Sequence, residues 1–164
     1  MNNTSQTSLE ELNAKLAQKL SVLEIILQDF KKKRLHTLIF AEHTTELDLI
    51  EVLLDHAQIR HLRIDGSVTS AVRRQEICDQ FNTGYVSDTL LITLKVGGMG
   101  LNLQGAQRVI IVSPHWNPSI EEQAVARAYR IGQKENVIVY KLIIRNSIEE
   151  RLVSRQVQKQ QIAN

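Results

Sequence analysis

The run Gln123-Ala124-Val125-Ala126-Arg127-Ala128-Tyr129-Arg130-Ile131-Gly132-Gln133 carries the residue types best suited to chemistry in this 164-residue chain. Gln123, Arg127 and Arg130 stand at i, i+4 and i+7, so a helix places them on one face. Ala124, Ala126 and Ala128 between them are small enough for that helix to pack closely. Two guanidinium groups on one rigid helix make a fork that suits phosphate oxygens. Two arginines on a solvated helix face fit the same pattern, so the helix by itself does not choose between these readings.

A second candidate is the glycine loop Lys95-Val96-Gly97-Gly98-Met99-Gly100-Leu101-Asn102-Leu103. Glycine permits positive φ and lets a ligand approach backbone N–H groups, the geometry that cradles phosphate, although a tight turn explains the cluster as well. Gly100 and Gly105 have the spacing of the two glycines of a P-loop, but Ala106-Gln107 follows where lysine and Ser/Thr belong. No Asp-Glu dipeptide occurs either, so a helicase-type magnesium box is missing too. His36, His43, His56, His61 and His115 show no metal-ligand spacing, and no metal site is expected. Cys78 sits inside a helical pattern and reads as packing. No Gly-x-Ser-x-Gly nucleophile elbow is present.

Six of the nine glycines and prolines (Gly97, Gly98, Gly100, Gly105, Pro114 and Pro118) fall between residues 97 and 118. At 43% hydrophobic and 23% charged, the chain matches a globular domain and excludes disorder and collagen-like structure. Its length predicts one domain burying roughly 70% of its unfolded surface. One cysteine excludes an internal disulfide framework and fits a reducing compartment. No apolar run reaches a membrane span, residues 1–8 are polar rather than signal-like, and a net charge of +2 does not by itself argue for nucleic acid.

The elements that must position these groups alternate. Residues 9–35 predict an amphipathic helix capped by Ser8 and Glu11 and closed by Lys31–Arg34. Thr37–Ala41 reads as a buried strand, Thr45–His56 as a helix capped by Thr45 and Asp48, and Ile59–Ile64 as a strand. Asp65-Gly66-Ser67 turns the chain into a helix over Ser70–Asn82. Leu90–Leu94 and Val109–Val112 are strands, and Ser119–Arg130 is a helix capped by Ser119 and Glu122 and stopped by Gly132. Val137–Ile144 is a strand, and Ser147–Ile162 a helix opened by Ser147 and Glu150. This order predicts an α/β fold with a mainly parallel sheet between helical layers. Residues 1–8 are expected to be disordered or a linker, 9–155 the domain, and 156–164 a helical or frayed tail. Ligands of such sheets sit beyond the carboxyl ends of the strands, where both the glycine cluster and the proline pair fall.

In order along the chain, these segments resemble the C-terminal RecA-like lobe of the Swi/Snf-type ATP-dependent DNA translocases. The matching stretches are Thr37-Leu38-Ile39-Phe40, Arg63-Ile64-Asp65-Gly66-Ser67 with Phe81-Asn82, and Leu90-Leu91-Ile92-Thr93 leading into Gly97–Leu103. Trp116-Asn117-Pro118 and Gln123 through Gln133 complete them.

The resemblance implies a RecA-like three-layer α/β/α lobe and roles for particular residues. Arg127 and Arg130 would be paired arginine fingers toward the γ-phosphate of ATP, with Gln123 opening the same motif. Gly98, Gly100 and Asn102 would link nucleotide state to the DNA, and Thr93, Lys95, Gly97, Ser67 and Trp116 would face the DNA backbone. ATP with Mg would be bound mainly by a first RecA-like lobe elsewhere in a longer protein, leaving this lobe incompetent alone. Double-stranded DNA, including nucleosomal DNA, would be the partner and the nucleus the setting, with no membrane. Three departures stand out: Glu42 replaces the usual Gln, Leu94 replaces the usual Thr, and the extra residue between Gly66 and Phe81 leaves Arg73 and Arg74 as alternatives for the family arginine. A stand-alone, non-catalytic DNA-binding or regulatory module of the same fold is the alternative reading. A flavodoxin-like small-molecule enzyme leaves the arginine helix unexplained.

Overall fold

The computed structural model describes residues 2–129 and 137–144. Five strands form one parallel sheet: β1 (Thr37–Ala41), β2 (Leu62–Ile64), β3 (Thr89–Thr93), β4 (Arg108–Ile111) and β5 (Ile138–Lys141), in the order β2-β3-β1-β4-β5. β1 pairs with β3 from Thr37↔Thr89 to Ala41↔Thr93, and with β4 from Thr37↔Arg108 to Phe40↔Ile111. Every residue of β1 and β3 is buried, which is why both read as unbroken apolar runs rather than as alternations.

The helices are α1 (Asn2–Lys32), α2 (Thr44–His56), α3 (Ala71–Thr83), the single turn α4 (Leu94–Gly97) and α5 (Pro118–Ala126). Successive strand residues point to opposite faces, so β1 divides its side chains between two cores. Leu38 and Phe40 join Ile77, Phe81, Val96 and Ala124 from α3, α4 and α5. Ile39 and Ala41 join Leu23, Leu27 and Phe30 of α1 with Leu47, Ile50 and Leu54 of α2. Helices on both faces of a parallel sheet make the expected RecA-like three-layer fold.

Several boundaries and caps differ from expectation, each for a local reason. α1 begins at Asn2, so Ser8 and Glu11 lie within the helix rather than at its start. α2 is capped by His43, whose N–H donates to Glu46 Oε1 at 3.2 Å, instead of by Thr45 and Asp48. Gln58 takes a positive φ of 57°, and the bonds Ile59 N–H to Leu54 O and Gln58 N–H to Asp55 O close a Schellman motif. Ile59 therefore terminates α2, and β2 begins only at Leu62. α5 is capped by Asn117, whose Oδ1 accepts Ser119 N–H at 3.1 Å, with Pro118 at the first helical position in place of the expected Ser119–Glu122 box. Regular α-helix stops at Ala126, short of Arg130. Arg127, Ala128 and Tyr129 donate instead to carbonyls three residues back, a tighter final turn. Arg130, the Gly132 stop and the helix expected over Ser147–Ile162 lie outside the described residues.

Candidate functional site

The chain leaves β1 toward β2 and β3 but leaves β4 toward β5, so the direction of winding reverses between two adjacent strands. Such a reversal opens a crevice at the carboxyl edge of a parallel sheet. A cleft of about 540 Å³ lies there, lined by Glu42 and His43 after β1, Lys95 and Gly98 after β3, and His115 and Gln123 after β4. Glu46 in the first turn of α2 anchors one wall, accepting from Ser113 Oγ while it holds His43 N–H.

Arg127 enters this edge from the final turn of α5. Its Nη2 donates to Gly98 O at 3.4 Å, and its carbonyl accepts Leu103 N–H at 3.1 Å, so both ends of the residue are tied to the glycine loop. Nε is buried, and no acceptor among the described residues meets it. No carboxylate among them pairs with the guanidinium either. A buried, unmet donor costs about 1–3 kcal/mol. Gln123 is exposed one turn earlier, and a Cβ at Gly98 would stand 3.8 Å from its Oε1. Arg127, Gln123 and Gly98 therefore come together at this edge; the spacing of Gln123 and Arg127 predicts their shared helix face, and the meeting with Gly98 is made by the fold.

The glycines of the loop divide by role. Gly100 has a φ of 82° and open space around it, which suits a turn or a close approach. Gly97 is buried, and a Cβ there would come within 2.6 Å of the Phe40 ring and 3.3 Å of Ala124, so α4 needs glycine to pack against β1 and α5. A Cβ at Gly105 would come within 2.7 Å of the Asn82 backbone, a packing reason for the decoy P-loop spacing. Asn102 is exposed; its carbonyl accepts from Asn82 Nδ2 at 3.0 Å and its side chain accepts Gln104 N–H at 3.2 Å.

The remaining candidates line the same edge. Thr93 is 6% exposed at the N-cap of α4, whereas Lys95 is exposed and pairs with no carboxylate among the described residues. Trp116 is 64% exposed, its ring tilted against His115 with centroids 5.6 Å apart. Ser67 follows β2 in a turn whose Asp65 Oδ1 accepts both the Ser67 N–H, at 2.8 Å, and the Ser67 hydroxyl. Those bonds from Ser67, together with Arg63 and against the effect of burial, hold the Asp65 carboxyl below the usual range. Arg63 meets Asp65 at 2.8 Å, Glu51 at 2.7 Å and Asp48 at 2.6 Å, locking the turn to α2. Burial disfavours its charge, but the bonds to Glu51, Asp48 and Asp65 outweigh that and raise its pKa. Arg74 donates to Val68 O at 2.6 Å behind this turn, while Arg73 pairs outward with Glu76 at 3.2 Å.

Sequence reasoning assigns no site role to His43, His115 or Glu121, which the fold brings in. His115 Nδ1 accepts Asn117 N–H at 2.9 Å, and its Nε2 lies 3.9 Å from Glu42 Oε1. The available signal was position: both histidines lie just past strands that become neighbours only once the strand order is known. Among the described residues no group of three metal-ligating side chains could hold a metal ion, and no helix is long and apolar enough to cross a membrane.

Known proteins align with this arrangement. The helicase conserved C-terminal domain family matches residues 18–132. The DNA excision repair protein ERCC-6-like of Danio rerio is 41% identical over 159 residues, covering 97% of this chain and 11% of that protein. The DNA excision repair protein ERCC-6 of Homo sapiens is 40% identical over 150 residues, covering 92% of this chain and 10% of that one. The DNA repair and recombination protein RAD26 of Saccharomyces cerevisiae is 39% identical over 155 residues, at 92% and 14%. The chain thus spans about a tenth of the length of the curated relatives it matches. The crystal structure of the C-terminal part of the Fun30 ATPase domain superposes with a TM-score of 0.77 at 34% identity, covering 83% of this chain and 44% of that one. With its five parallel strands in one sheet and a family match spanning β1 to the arginine turn, the chain belongs to the helicase conserved C-terminal domain family, as a RecA-like lobe of the Swi/Snf type.

Proposed function

We propose that this chain is the second motor lobe of a DNA-dependent ATPase that translocates on double-stranded DNA in chromatin remodelling or DNA repair. The observation that carries this reading is the Arg127 guanidinium, tethered to Gly98 with its buried Nε unmet. That orphaned donor fits an anionic phosphoryl oxygen presented by another body. Arg127 would donate to it, and Arg130 would supply the second finger of the pair. ATP and its magnesium would be held mainly by a first RecA-like lobe and supply the phosphoryl group that is transferred. The contribution of this lobe is charge stabilisation that arrives only when the lobes close, worth about 10³–10⁵ in rate.

The same edge offers the DNA contacts. Lys95, Trp116, Ser67 and the glycine loop lie along one rim, and contacts there to phosphate would carry no base information, as a translocating motor requires. Gly98 and Gly100, in the loop that also holds Arg127, would relay nucleotide state to that rim. Relatives named for DNA repair support a nuclear setting.

The decisive experiment joins this chain to a Swi/Snf-type first lobe and measures ATP turnover with and without duplex DNA. Arg127→Ala is expected to abolish turnover while ATP affinity is retained. Turnover at the parent rate in that variant would sink the assignment.

A further inference from the structure

Glu121 is 2% exposed, and a carboxylate is kept from water only where partners replace its solvation. Its Oε1 accepts the His115 N–H at 2.7 Å. Lys141 Nζ, on β5, lies 2.9 Å from Oε2, an ion pair set off the line of a directed hydrogen bond. The first turn of α5 adds the positive end of the helix dipole. The pocket beside it is lined by the apolar Ile111, Val125 and Val139 together with Glu122 and Tyr129. Volume and burial alone would be served better there by leucine or methionine, so the carboxylate is explained by what it holds.

It holds three pieces at once. One is the turn bearing Trp116, reached through His115, whose ring in turn accepts Asn117 N–H. The second is α5, which Asn117 caps and which ends in Gln123 and Arg127. The third is the edge strand β5. We propose that Glu121 is a positioning residue that makes the Trp116 turn and the arginine end of α5 one mechanical unit, so that engagement of DNA phosphate at the turn is transmitted to Arg127. The roles at the two ends rest on the motor reading above; the unit itself does not.

Amide hydrogen exchange on this chain separates the two ideas. Without DNA, Glu121→Ala should speed exchange of residues 115–117 and of residues 122–127 together, by about tenfold, with β1 and β3 unchanged. Faster exchange at His115 while α5 keeps its parent rate would overturn the proposal. Should Glu121→Ala also release β1 and β3, Glu121→Gln replaces it, keeping the bond to His115 but losing the ion pair. Both segments should again speed together, and a change in one alone or in neither would overturn the unit. Duplex DNA added to the parent chain forms the second arm. Slowing at both segments supports transmission, and slowing at the turn alone overturns it. Slowing at neither counts against DNA contact at Trp116, while the DNA-free comparison still decides whether Glu121 joins the pieces.

Discussion

Arg127 Nη2 reaches the carbonyl oxygen of Gly98 at 3.4 Å, so the arginine turn is tethered to the glycine loop within the lobe itself. The contact is long and therefore weak, enough to orient the guanidinium but easily exchanged for a stronger anionic acceptor. The Leu103 N–H bond to the Arg127 carbonyl at 3.1 Å fixes the backbone beneath it. The side chain is thus oriented by Gly98 while its buried Nε stays without an acceptor among the described residues.

Arg127→Lys should not rescue function in a two-lobe motor. Lysine keeps the charge but loses the planar fork, so turnover is expected to fall by about 10³ or more. Folding stability should shift by no more than about 1 kcal/mol, because an unmet donor is removed with the fork. Steady-state phosphate release and urea midpoints check the two halves separately. Arg130→Ala should reproduce the loss of turnover.

Alone, the 164-residue chain is expected to hydrolyse essentially no ATP. The P-loop lysine and hydroxyl are replaced by Ala106 and Gln107, and no Asp-Glu pair is present. Phosphate release should match a protein-free blank with or without duplex DNA. Reproducible DNA-stimulated turnover would refute this.

Glycine substitutions should separate packing from ligand approach. Gly97→Ala forces a Cβ to 2.6 Å from the Phe40 ring and should cost about 1–3 kcal/mol. Gly105→Ala meets the backbone of Asn82 at 2.7 Å, which cannot swing away, and should lie at or above that range. Gly66→Ala has nothing within 4 Å and should stay within about 0.5 kcal/mol of the parent. Urea denaturation of the three variants gives the ranking.

Acid sensitivity should expose the Asp65 network. Its folded pKa is depressed, first through the Ser67 hydroxyl and then through Ser67 N–H and Arg63, against burial. A depressed carboxyl contributes its full stability above the unfolded value of about 3.9 and loses it as the pH falls through the folded value. Asp65→Asn should therefore be less stable than the parent at pH 7, with the difference shrinking below about pH 4. A difference that stays constant into strong acid would contradict the assignment.

Cys78 is fully buried, and burial, then the neighbouring Asp79, push its thiol up to about 11. A maleimide at neutral pH should label the native chain only as fast as it opens, and labelling should accelerate with urea.

Much of the frame was legible without coordinates. Thr37–Ala41 is predicted to the residue because a doubly buried strand is an unbroken apolar run. Gly84, in the left-handed region with a φ of 69°, ends α3 one residue beyond its expected limit at Asn82. Caps were less legible, because His43 and Asn117 act through the φ and ψ of their own turns, and Thr45 and Ser119 nearby offer equally good letters. That Gln123 and Arg127 share one face of α5 followed from their spacing. The gathering of Glu42, His43 and His115 did not.

The sequence by itself determined the alternation of elements, the apolar faces, the motif order and the missing P-loop chemistry, all of which are written in neighbours a few residues apart. Only the tertiary structure decided that β1 and β4 lie side by side, that Gly97 serves packing against Phe40, and that Arg127 leans on Gly98 with its Nε unmet. Those relations join groups 29 to 71 residues apart in the chain, such as Arg127 with Gly98 and Thr37 with Arg108. Helical and strand periodicity constrain which face a residue takes, but not which distant backbone that face will meet.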